Sequence, residues 1–138
     1  MLEKILSISG KPGLFRLVSR GRQNLVVETL DENKKRMPAF AKDKIVSLAD
    51  IAMYTDSEEV ALKNVLKSIL DKEEGKPLEM DIKNVSGEEL RKYFAQVLPE
   101  FDRDRVHDSD IRKLLQWYNI IVRNGVDFSE DLKEDEEK

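Results

Sequence analysis

The chain has 138 residues, of which 40% are apolar and 38% charged, with a formal net charge of −4 and no cysteine. These values exclude disulfides, thiolate metal sites and a cysteine nucleophile, and no apolar run approaches the roughly 18 residues a membrane helix needs. The length fits one domain or two small units on a shared core. Its charge is divided unevenly, with 10 Lys+Arg against 5 Asp+Glu in residues 1–48 (net +5) and 14 against 23 in residues 49–138 (net −9).

The first residues, Met1 to Lys11, are interrupted by Glu3 and Lys4 and do not form a signal peptide. A cytoplasmic location is the expectation. Leu2, Ile5, Leu6 and Ile8 fit either a lead-in strand or a helical turn. Gly10-Lys11-Pro12-Gly13 is a turn by chemistry, because glycine permits positive φ and proline pre-sets a turn dihedral. It lacks the Gly-x-x-x-x-Gly-Lys-Ser/Thr spacing of a phosphate loop.

Leu14–Arg20 and Asn24–Leu30, separated by Gly21, read as a β-hairpin. Asp31 to Lys34 is the next turn, and Lys35 to Ala41 a third strand. Pro38 lacks an N–H and so belongs at an edge or a bulge. Lys44–Leu48 is a fourth strand. Ser47 and Asp50 frame at most one 3₁₀ turn, and Ala52–Thr55 a fifth strand. Short strands with short connections resemble an SH3-like barrel, an analogy of topology that carries no function.

Three helices follow. Asp56 and Glu59 have the spacing of a capping box for a helix over 57–72, with Leu62, Val65, Leu66, Ile69 and Leu70 on one stripe. Residues 71–85 form a linker with Gly75 and Pro77, in which the alternation of Leu78, Met80 and Ile82 suggests a short strand on a sheet edge. Ser86 and Glu89 cap a second helix, 87–98, that stops at Pro99. The third helix spans 109–124 and ends at Asn124-Gly125. Its apolar residues cover more than one face, so it packs against two neighbours or against another protomer. Residues 129–138 form an acidic tail expected to be disordered.

The predicted architecture is therefore α+β: an SH3-like five-stranded β-barrel over residues 1–56, a three-helix domain over 57–128, and the acidic tail. Ile8-Ser9-Gly10-Lys11-Pro12-Gly13-Leu14 and Ser47-Leu48-Ala49-Asp50-Ile51-Ala52-Met53-Tyr54 resemble an uncharacterised bacterial family, a small domain of unknown function. The helical remainder resembles the second such domain that accompanies it. The resemblance implies a bacterial cytoplasmic protein in two parts and transfers no functional residue.

Chemistry is sparse. His107 lies among Asp102, Asp104, Asp108 and Asp110, but the spacing lacks the glycine and terminal glutamate of an EF-hand. Helix capping and the flanking Arg103 and Arg105 account for those carboxylates. No metal site, no cofactor and no catalytic residue is predicted, and an enzyme is not expected.

Two binding readings remain. The first is a protein–protein interaction or assembly module, with an unidentified partner or self-association, through the broad face of the third helix at Trp117, Ile120 and Ile121. The alternative is nucleic acid on the basic strand-and-turn surface of Arg16, Arg20, Arg22, Lys34, Lys35, Arg36, Lys42 and Lys44. The scarcity of aromatic platforms and the acidic body count against the alternative. The acidic tail is expected to fold back and screen the basic half. No membrane is expected as a partner.

Overall fold

The computed structural model describes residues 2–11, 13–22, 24–40 and 43–126. Its first half is a five-stranded antiparallel sheet built from β1 (Ile5–Ile8), β2 (Phe15–Arg20), β3 (Asn24–Thr29), β4 (Arg36–Phe40) and β5 (Ile45–Ser47), in the order β4-β3-β2-β1-β5. Pro38 lies in β4, an edge strand, where its missing N–H costs no inner ladder bond.

The sheet is open, which corrects the SH3-like barrel. Each neighbouring pair is antiparallel, so β4 and β5 run in the same direction. A parallel pair needs a crossover of about a dozen residues, and only residues 41–44 separate these two strands. They cannot close the ladder on each other. The fifth strand of the sheet is also a different segment. Residues 5–8 take that place, between β2 and β5, whereas Ala52–Tyr54 leaves the sheet as β6 and pairs with β7 (Glu59–Ala61) in a separate hairpin.

That hairpin also displaces the start of the first helix. The turn at 55–58 is organised by Thr55, which is buried. Its Oγ1 accepts from the N–H of Ser57 at 3.3 Å and of Glu58 at 2.9 Å, and donates to the Glu58 carbonyl. Glu59 is thereby committed to a strand, not to a capping box with Asp56. Helix α1 is Leu62–Lys72, five residues later than the capping spacing implied. Helix α2 is Gly87–Val97, with the Ser86 hydroxyl accepting from the Glu89 N–H at 3.2 Å, and α3 is Asp108–Arg123.

Two cores result. One face of the sheet buries Leu6, Ile8, Phe15, Val27 and Ala39 against Leu17, Leu25, Met37 and Ile45, all from the five strands. Among the described residues, no helix residue belongs to this cluster. The larger core joins Leu2, Ile5, Leu14, Leu30, Leu48 and Met53 to the apolar stripes of all three helices. It is drawn from both sides of residue 56. Phe94 and Phe101 meet edge to face at 5.0 Å within it.

Candidate functional site

Helix α3 builds the site from both of its flanks. On one flank it straps down the segment between α1 and α2. The Tyr118 hydroxyl donates to the Lys76 carbonyl at 2.8 Å, and the buried Asn119 Oδ1 accepts from the Leu78 N–H at 2.7 Å. Arg112 donates to the carbonyls of Ile82 at 3.0 Å and Val85 at 2.7 Å. Side chains of a helix thus supply the backbone partners that a sheet edge would have supplied. For this reason residues 78–82 are an irregular strap and not the predicted strand. Burial pushes the Tyr118 hydroxyl pKa up, and the nearby Glu73 adds to it.

On its other flank α3 faces the β1–β2 turn. Gly13 has φ of +77°, and a Cβ placed there would lie 3.9 Å from the Ile120 Cδ1. Asn124 Nδ2 donates to the Leu30 carbonyl at 3.2 Å, tying the end of the helix to the sheet.

Between the strap, the turn and the helix lies a cleft of about 630 Å³. Its floor is Met80, Trp117 and Ile120, and Ser7, Ser9 and Gln116 add polar groups. Four cations reach it from three elements: Lys11 from the turn, Lys83 from the strap, and Lys113 and Arg123 from α3. Asp81 is the single carboxylate in the lining among the described residues, and it accepts from Asn84 Nδ2 at 2.8 Å. None of the four cations forms an ion pair among the described residues. Lys113 Nζ stands 6.0 Å from the Trp117 ring centroid, and Lys11 Nζ contacts the Met37 Sδ at 3.8 Å.

The residues singled out from sequence divide. Trp117 is 8% exposed and Ile120 half-buried, and both line the cleft. Ile121, at 1% exposure, is core and presents nothing to a partner. The breadth of the α3 apolar face is used within the chain, against the sheet, α1 and α2.

The basic residues do not form one surface. Arg20 and Arg22 lie at the β2–β3 turn, and Lys34 and Lys35 at the β3–β4 turn, the opposite end of the same strands. All four are exposed, as is Lys44, whose carbonyl accepts from the Ser9 N–H at 2.9 Å. Arg36 pairs with Glu28 at 3.3 Å. Arg16 stands in register with Glu28 and Ile5 inside the sheet, and its Nε is buried without a partner. Lys42 and the acidic tail at 129–138 lie outside the described residues.

Three of the four aspartates around His107, Asp102, Asp108 and Asp110, have structural partners. Asp102 accepts from Arg105 Nε at 2.7 Å and from the N–H groups of Asp104 and Arg105, and the Arg105 side chain holds its carboxyl below the usual carboxylate range. Asp108 receives Arg91 Nε at 2.5 Å. Gly87 abuts the same carboxylate, so closely that a Cβ there would collide with it. Asp110 caps α3 by accepting from the His107 N–H at 3.0 Å.

Sequence reading missed Lys11, Lys83, Lys113 and Arg123. One signal was present. Lys113, Gln116, Trp117, Ile120 and Arg123 recur at helical spacing, a mixed stripe running beside the apolar ones.

A family model described as Domain of unknown function (DUF6852) matches residues 51–121, and one described as Domain of unknown function (DUF5606) matches residues 2–48. The solution NMR structure of a protein from Bacteroides vulgatus is similar at 57% identity and a TM-score of 0.77, over 92% of this chain and 89% of that one. No curated protein matches.

Proposed function

For this chain, which belongs to the DUF6852 family of domains of unknown function and carries a DUF5606 segment ahead of it, we propose a non-enzymatic interaction module that receives an acidic peptide segment of a partner protein in the cleft beside α3. The observation that carries the reading is a set of four cations around an apolar floor, none in an ion pair among the described residues. By contrast, Arg36, Arg91, Arg103, Arg105 and Arg112 are engaged with carboxylates or backbone carbonyls.

The spacing of the charges favours a peptide over a compact anion. Lys113 and Arg123 are ten residues apart on one helix, about 15 Å. One phosphate cannot touch both, whereas carboxylates along an extended chain can. Trp117 offers little ring face at 8% exposure, so the cleft has no stacking platform for a base. The floor suits an aliphatic or aromatic side chain flanked by acidic ones.

The test is a titration of the full chain with a labelled peptide of glutamates around one phenylalanine. Binding is expected to weaken with salt and to disappear in the Lys113→Glu/Arg123→Glu double variant. Binding that survives that variant overturns the reading.

A second reading rests on Arg20, Arg22, Lys34, Lys35 and Lys44, which are exposed and outside any ion pair among the described residues. It takes single-stranded nucleic acid at the turns. An oligonucleotide whose binding is lost on Arg20→Glu/Arg22→Glu, and kept on Lys113→Glu/Arg123→Glu, supports it. Absence of oligonucleotide binding at low salt removes it.

A further inference from the structure

We infer that the chain's own C-terminal segment, residues 127–138, is the competitor for this cleft, so that a partner must displace it. The inference rests on the reading above, that the cleft takes acidic peptides.

Three observations lead to it. The first is where the described chain ends. The Val126 N–H donates to the Ile121 carbonyl at 3.0 Å and its side chain is buried, so residue 126 is fixed within a turn of Arg123. The chain therefore continues from one end of the cleft. The second is charge. Residues 127–138 carry seven Asp and Glu against two Lys, and the cleft carries four cations against Asp81. The third is reach and pattern. An extended chain covers the roughly 15 Å back to Lys113 in about five residues. Residues 127–132 hold two apolar side chains, Phe128 and Leu132, among three carboxylates, the composition the floor and rim call for.

Tethering makes the contact effective without high intrinsic affinity. A segment joined directly to the cleft edge has an effective concentration in the millimolar range. Even a weak electrostatic fit then keeps an untethered acidic peptide out until it binds substantially better or arrives in excess. The sequence of events is a displacement: partner carboxylates replace the chain's own on Lys11, Lys83, Lys113 and Arg123.

The experiment uses the full chain and a fluorescein-labelled synthetic peptide of residues 127–138 as probe. One variant changes the tail carboxylates only: Glu130→Gln, Asp131→Asn, Glu134→Gln, Asp135→Asn, Glu136→Gln and Glu137→Gln. The tail variant is expected to bind the probe at least about tenfold more tightly than the wild type. Adding Lys113→Glu is expected to abolish that gain. The wild-type affinity is expected not to change with protein concentration.

Equal binding by wild type and tail variant overturns self-occupancy and leaves the cleft reading standing. A gain that persists with Lys113→Glu overturns it too, because the probe then sits elsewhere. Wild-type affinity that falls as the protein is concentrated, with a dimer by sedimentation, assigns the segment to a second copy and overturns the intramolecular form. If neither chain binds this probe or the glutamate–phenylalanine peptide, both readings fail together.

Discussion

Arginines and lysines are put to two uses in this molecule. At the α2–α3 junction they hold the fold. Arg91 donates to the Asp108 carboxylate and to the carbonyls of Arg103 and Val106, and Arg105 joins Asp102 to the Thr55 carbonyl. At the cleft, Lys11, Lys83, Lys113 and Arg123 form no ion pair among the described residues. Both sets lie within one small chain, and α3 carries members of each: Arg112 is a strut, while Lys113, its neighbour in sequence, faces the cleft. A cation whose donors are all engaged tells how the chain is built. A cation without a carboxylate partner, beside an apolar floor, tells what the chain can receive.

Mutations sharpen the contrast. Arg112→Ala is expected to have the largest effect on stability, because it strands the carbonyls of Ile82 and Val85. A loss of about 2–3 kcal/mol is expected by denaturant unfolding, and with it the strap that positions Lys83 loosens. Arg91→Ala comes next, at about 1–2 kcal/mol, since its ion pair with Asp108 is only partly shielded from solvent.

Asp102→Asn is expected to act through pH. The Arg105 side chain, with backbone N–H groups, lowers the folded-state pKa of Asp102. Its stabilisation is therefore present above the unfolded-state value of about 4 and is lost as pH falls through the lower folded value. Wild type and variant should differ in melting temperature at neutral pH and converge in acid. A gap that widens in acid contradicts the assignment.

Lys113→Ala and Arg123→Ala are expected to change stability least, within about 0.5 kcal/mol, while lowering affinity for the acidic probe. A substantial drop in melting temperature for either would move that residue into the structural set.

Much of this arrangement was legible in the sequence where one local rule governed. The α2 cap at Ser86, the stop at Asn124-Gly125 and the edge position of Pro38 follow from nearest-neighbour chemistry. What was illegible depended on partners distant in sequence. Residues 5–8 form a strand because β2 and β5 flank them on both sides. Glu59 has the spacing of a helix cap, yet Thr55 and the pairing of Ala52 with Ala61 commit it to a hairpin. Leu78, Met80 and Ile82 alternate like a strand, but Asn119 and Arg112 take the backbone bonds. The cleft was hardest to see. Lys11 and Arg123 are 112 residues apart, and each looks like an ordinary solvated charge until the sheet is brought against α3.

That last contact has a consequence for how the chain comes to be folded at all. Leu2 and Ile5 share a core with Ile121 and Val126, and Asn124 reaches back to Leu30. The strand β1 leaves the ribosome about a hundred residues ahead of the helix that completes its cover. The sheet can gather its own small core once residue 47 has emerged, but the larger core waits for the helices, α3 included. Pairings of such long sequence separation slow the final closure. Through that interval the nascent sheet carries a bare apolar face, and α3, which completes its cover, is synthesised after all five strands.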